Sequence, residues 1–213
     1  MREYFDIQLS ELNDRLVEMG SLIEEAIENT IDIIVNKNYD KLDNSRVIEE
    51  KINDSEKKIQ ALCLKLLLLQ APVASDLRVI SSALKMITDM ERIGDQAVDI
   101  AEMSVYFRDH ENIYGMTHIV EMARQASDMV NVAINAFVNK DLELARTIAS
   151  RDDVIDGLFD SVKEEVVDII HNDKELGSQA MDVILIAKYL ERIGDHAVNI
   201  GEWVVFSITG NTK

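Results

Sequence analysis

The chain has 213 residues, of which 47% are hydrophobic, 29% charged and 5% aromatic, with one proline and a formal net charge of −18. That length accommodates one domain or two small ones with a real core. The acid excess carries no basic stripe to neutralise phosphates, which excludes nucleic acid as a partner and disfavours adsorption to an anionic membrane.

The first residues, Met1-Arg-Glu-Tyr-Phe-Asp6, lack the apolar core of a signal peptide, and no run reaches the length of a transmembrane helix. Cys63 is the single cysteine and sits in an apolar stretch, so no intrachain disulfide forms. These features predict a cytoplasmic protein with no direct membrane insertion.

Few breakers and abundant Ala, Leu, Ile, Glu and Lys favour long helices. Apolar residues at Leu12, Leu16, Met19, Ile23, Ile27, Ile31 and Ile34 recur in steps of three and four, which predicts a first helix over 7–36. A short link at 38–40 precedes a second helix over 43–69. Pro72 pushes residue 71 out of the helical region and ends it. Ser75 or Asp76 is expected to cap a third helix over 77–107. A polar linker at 108–115 leads to three more helices over 116–139, 142–171 and 178–208. Methionines 19, 86, 90, 122, 129 and 181 fall at helical spacings and read as core.

The second half repeats the first. Glu91-Arg-Ile-Gly-Asp-Gln-Ala-Val-Asp-Ile100 is answered by Glu191-Arg-Ile-Gly-Asp-His-Ala-Val-Asn-Ile200, one hundred positions later. Val35-Asn-Lys37 matches Val138-Asn-Lys140 at an offset of 103, as do Met19 with Met122 and Ile52 with Ile155. The predicted architecture is all-α, six long helices in two tandem pseudo-symmetric antiparallel three-helix bundles, with repeats at 1–110 and 111–213. Gly94 and Gly194 stand mid-helix, where glycine costs about 1 kcal/mol relative to alanine. Close approach of a neighbouring helix backbone, or room for a bound ion, would account for both.

Each repeated phrase sets Glu and Asp four apart, so Glu91 with Asp95, and Glu191 with Asp195, share a helix face. The second helix of each repeat carries a related pair, Glu49 with Asn53 and Asp152 with Asp156. Residue 49 lies 23 positions before a turn near residue 72, and residue 95 lies 23 after it (72 − 49 = 95 − 72). Antiparallel helices of equal rise therefore bring Glu49 opposite Asp95 and Asn53 near Glu91. The same construction brings Asp152 near Asp195 and Asp156 near Glu191. Asp99 and Glu102, with Asn199 and Glu202 as their counterparts, extend the stripe.

Solvated helix faces explain any one acidic pair. Four oxygen-bearing side chains meeting in each bundle call for a cation or for protonation. Oxygen donors suit Mg, Ca, Mn or iron, and carboxylates also occur on zinc. His196, one position beyond Asp195, turns away from that face and reads as a peripheral polar residue. The Glu-x-x-His pairs of di-iron bundle enzymes, Gly-rich phosphate loops and H-E-x-x-H are all missing, so nothing in the chain demands catalysis and no catalytic residue is assigned.

The two copies of Glu-Arg-Ile-Gly-Asp-x-Ala-x-x-Ile, together with Pro72-Val-Ala-Ser-Asp-Leu-Arg78, resemble the PhoU family of phosphate-transport accessory proteins over roughly residues 5–208. The resemblance implies a cytoplasmic negative regulator of the phosphate-starvation response; the alternative readings are a metal-dependent helical-bundle oxidase or hydrolase and a purely structural helical interaction protein. As partners it implies the ATPase subunit of a phosphate ABC transporter and a sensor histidine kinase, and a homodimer is expected. It also implies multinuclear iron or zinc sites on E/D-x-x-x-D motifs. Carried onto this sequence, these are Glu91 with Asp95, Asp95 with Asp99, Asp152 with Asp156, and Glu191 with Asp195. Glu49 with Asn53 and Asp195 with Asn199 depart from the pattern.

Overall fold

The protein, described from a computed structural model, is defined over residues 2–69, 72–107 and 116–211. Six α-helices are present among these residues: α1 (Arg2–Asn36), α2 (Leu42–Leu69), α3 (Ala74–Met103), α4 (Met116–Asn139), α5 (Leu142–Asn172) and α6 (Gly177–Thr209). Short 3-10 turns at Tyr39–Lys41, Ser104–Phe107 and Lys174–Leu176 join or extend them. The helix predicted to start at residue 7 begins at Arg2, and the third tightens into a 3-10 turn after Met103. The linker at 108–115, with the repeat boundary inside it, and residue 71 before the proline lie outside the described residues.

Helix ends follow local chemistry. Asp141 caps α5, its Oδ1 accepting from the Leu144 N–H at 2.9 Å. α4 ends in the left-handed geometry of a Schellman turn: Lys140 has φ 54°, and the Asp141 N–H donates to the Ala136 carbonyl at 2.9 Å. Lys37 repeats that backbone conformation at the end of α1, with φ 52°. The cap of α3 differs from the expectation. Val73 is the N-cap, and Asp76 sits one turn inside, its Oδ2 accepting from the Val73 N–H at 3.1 Å. That is the reach-back half of a capping box, so Ser75 is not needed as a cap.

α1–α3 and α4–α6 each form an antiparallel bundle, and the two pack mainly through α3 against α6, with α1 crossing α4 behind them. One hydrophobic core runs through all six helices. The α1 stripe predicted from the sequence is buried in it, except that Ile31 is only half-buried. Cys63 is fully buried, and desolvation pushes its thiol up to about 12, so it is inert packing. Met181 departs from its predicted core role and is 54% exposed, because its position on α6 faces away from α4 and α5. The other five methionines named above are buried.

The mid-helix glycines are explained by side chains of the facing helix rather than by its backbone. A Cβ on Gly94 would lie 2.8 Å from Ile52 Cδ1, and one on Gly194 would lie 3.0 Å from Ile155 Cδ1. Ile52 and Ile155 are repeat equivalents and both are fully buried. Burying each such side chain contributes about 1.5–3 kcal/mol, which outweighs the roughly 1 kcal/mol helix penalty of the glycine. Farther along α6, Gly201 makes the same room for Ile148. In the first repeat the equivalent places hold Ala101, larger than the glycine, and Ser45, smaller than the isoleucine.

Candidate metal centres on two acidic faces

The backbone register worked out from the sequence places α2 beside α3 and α5 beside α6. Since Ile52 fills the notch at Gly94, Glu49 and Asn53 flank it on α2 while Glu91 and Asp95 flank it on α3. The second repeat does the same with Asp152, Asp156, Glu191 and Asp195 around Gly194 and Ile155. Glu49, Asn53, Glu91, Asp95, Asp152 and Glu191 are half-buried; Asp99, Asp156, Asp195 and Asn199 are exposed.

Electrostatics show which of these groups sense one another. Burial pushes the Glu49 carboxyl above the ordinary range, and Asp95, Asp99 and Glu102 push it further. Glu91 is raised by burial, then by Asp95 and Glu56, against a lowering from Arg92. Burial raises Asp95 and Asp99 too, with Asp99 acting on the first and Glu102 on the second. In the second repeat burial and then Asp156, Asp195 and Glu191 lift Asp152 to about 6. Asp195 rises through burial and Glu191, while Lys188 pulls it back. The carboxylates thus gather into two mutually repelling sets, one per bundle.

The donor chemistry fits a cation. Asp152 Oδ1 is buried without a hydrogen-bond partner among the described residues, and so is Asn53 Oδ1. A Cβ on Gly194 would lie 2.7 Å from Asp152 Oδ1, so the glycine also leaves space for this carboxylate. A buried oxygen acceptor with no donor costs about 1–3 kcal/mol, and a metal ion would satisfy it. Among the described residues no three His, Cys, Asp or Glu side chains stand close enough to hold an ion in their present rotamers.

Two predicted members of the stripe have other contacts. Asn199 Nδ2 donates to Asp89 Oδ1 at 3.3 Å, across the α3–α6 interface. Arg192 on α6 offsets part of the rise at Asp99. His196 is not peripheral: it is buried, with Nδ1 2.8 Å from Asp89 Oδ1. Position 196 does turn away from the acidic face, but what lies that way is the other bundle, not solvent. Asp89 could have been found in the sequence, because it interrupts the apolar stripe of Met86, Met90 and Ile93. Glu102, which the sequence places next along the stripe, contributes as well. It faces Glu49 but is bridged by Arg46 at 2.7 Å. Trp203 packs edge-to-face on Phe206, 6.0 Å between centroids, with Lys85 Nζ 5.8 Å from its ring, which makes it a packing residue.

Comparison with known proteins agrees with this geometry. The PhoU domain profile matches residues 16–104 and again 119–204. A PhoU homologue described as a phosphate-specific transport system accessory protein, from Pseudomonas putida, is 32% identical over 209 residues, covering 98% of this chain and 82% of that protein. One from Clostridium acetobutylicum is 31% identical over 98% of this chain and 96% of its own. The crystal structure of PhoU from Pseudomonas aeruginosa superposes with a TM-score of 0.91 at 31% identity, covering 97% of this chain and all of that one. The phosphate transport system regulatory protein PhoU from Streptococcus pneumoniae shares the fold, with a TM-score of 0.90 at 24% identity over 98% of this chain and 99% of that one. With the family domain present twice, on two like bundles each carrying the repeated acidic phrase, the chain belongs to the PhoU family.

Proposed function

We propose that this protein regulates phosphate transport as a metal-binding adaptor, not as an enzyme, linking the ATPase subunit of a phosphate ABC transporter to a sensor kinase. The names of its relatives support the transport role. The single observation that supports metal binding is Asp152, a carboxylate raised to about 6 by burial and four neighbouring acids, with one oxygen left without a donor. Asp152, Asp156, Glu191 and Asp195 would hold ions in the second repeat. Glu49, Asn53, Glu91, Asp95 and Asp99 would do so in the first. Bound iron or zinc would neutralise the repulsion within each set and stiffen the packing of α2 on α3 and of α5 on α6. Among the described residues no helix is long and apolar enough to cross a membrane. A membrane-bound transporter would therefore be met at its surface.

Affinity capture from phosphate-replete and phosphate-starved cells tests the adaptor role. The expected result is recovery of the transporter ATPase, in amounts that change with phosphate supply and fall when Glu191→Ala and Asp195→Ala are combined. Absence of the ATPase under both conditions would overturn the reading.

A further inference from the structure

Away from the acidic faces, a cavity of about 350 Å³ opens where the start of α1 and α3 meet the ends of α4 and α6. It draws on both bundles, and Arg78 lies 13 residues before Glu91 (91 − 78), about 20 Å away along α3 at 1.5 Å per residue. Two cations line it, Arg78 and Lys140. Neither has an ion-pair partner among the described residues, and Arg78 Nε is buried without any hydrogen-bond partner. Across a chain with 40 acidic and 22 basic residues, an arginine with a desolvated and unsatisfied donor is an expensive arrangement to leave unfilled. The arginine is held in place: a Cβ on Gly210, the left-handed cap of α6, would lie 3.4 Å from Arg78 Cδ. Its stem therefore packs against the end of α6 while the guanidinium borders the cavity. At the repeat offset of 100 the counterpart of Arg78 is Ser178, so this cationic element occurs once.

The remaining walls narrow the ligand. Leu9, Val79 and Phe137 supply an apolar side. Asp6 and Asp76 also border the cavity; Asp76 accepts from the Val73 N–H, and Asp6 has an interaction of its own. These acids would repel a second anionic group and accept from hydroxyl donors. The volume is at the lower end of the range of small-molecule sites, roughly 300–1,000 Å³. A planar guanidinium beside an ammonium matches the oxygens of a phosphate or carboxylate.

We propose that this cavity binds a small organic oxyanion, a phosphate monoester or a carboxylate bearing hydroxyls, with its charged head on Arg78 and Lys140. Because the site takes residues from both bundles, the ligand would fasten α3 of one repeat to α4 and α6 of the other. This proposal is independent of the metal reading.

Isothermal titration of the metal-free full chain with inorganic phosphate, glucose 6-phosphate and tartrate tests it. The expected result is saturable binding of at least one probe, weakened at least tenfold by Arg78→Gln and by Lys140→Asn, and unchanged in the combined Glu191→Ala and Asp195→Ala variant. Asparagine suits the left-handed backbone at position 140. That exposed position keeps the test valid if Arg78→Gln unfolds the protein. Tighter binding of the sugar phosphate assigns the site to phosphate monoesters, and tighter tartrate binding assigns it to carboxylates. No saturable binding of any probe, or binding unaffected by Lys140→Asn, would overturn the proposal.

Discussion

The two acidic faces descend from one repeated design and differ in how they manage their charge. In the first repeat the repulsion on Glu49 is spread along α3 over Asp95, Asp99 and Glu102, and cations reach in: Arg46 bridges Glu102, and Arg192 tempers Asp99. Asn53 replaces one acid by a neutral oxygen donor. In the second repeat the charge converges on Asp152, whose repelling neighbours are all acids and whose Oδ1 has no donor. The local counter-charge there is Lys188, in contact with Glu191. The comparison shows that the same helix register can yield a diffuse, partly neutralised face or a concentrated one, according to a few side chains. The concentrated face should hold metal more tightly.

The largest effect expected is one that should not distinguish the repeats. Ile52→Ala and Ile155→Ala each empty a fully buried notch against a glycine, and each should cost about 2–5 kcal/mol in denaturant unfolding. A loss confined to one variant would break the equivalence of the two bundles.

Next comes the pH dependence of the second face. A carboxylate with a higher pKa in the folded than in the unfolded state takes up a proton on folding. Its contribution is fully present below the unfolded value of 3.8 and is lost as pH rises through about 6. The metal-free protein should therefore melt at a higher temperature near pH 5 than at pH 7. Asp152→Asn should raise the melting temperature at pH 7 and flatten that slope, whereas Glu49→Gln should do so less. Metal affinity should run the opposite way, weakening as Asp152 protonates below about pH 6. An unchanged slope in Asp152→Asn would remove that residue from the account.

Smaller again is the effect of restoring the missing acid. Asn53→Asp should raise the metal affinity of the first repeat several-fold while lowering the stability of the metal-free protein, as judged by chelator competition and melting. Smallest is Arg46→Ala. The Arg46–Glu102 pair is exposed and screened by solvent, so its loss should leave the melting temperature nearly unchanged. It should still raise metal uptake slightly by freeing Glu102.

The helices and their antiparallel register were legible because apolar residues at steps of three and four leave little choice of face, and a repeated phrase fixes equivalent heights. The acidic pairs were legible for the same reason. Met181 was misplaced because spacing alone cannot tell which flank of a helix a second bundle leaves open. His196 was misplaced because the α3–α6 contact joins segments over one hundred residues apart, and no local pattern reports it. The cap of α3 was placed one turn late because Asp76 acts backward on Val73, a geometry that residue preference at the cap position does not capture. Gly94 and Gly194 were recognised as places of close approach, yet only the packed structure identifies isoleucine side chains as what approaches, and the Asp152 carboxylate as a second occupant at Gly194.

The most direct test of the central claim is elemental analysis of three proteins at equal concentration after the same metal loading: the parent, Glu91→Ala with Asp95→Ala, and Glu191→Ala with Asp195→Ala. Both variants should retain their helical content. Both should carry less metal than the parent, and the second-repeat variant should lose the more tightly held fraction, the one that resists a chelator. Metal content equal to the parent in both variants would contradict the claim that these faces bind metal.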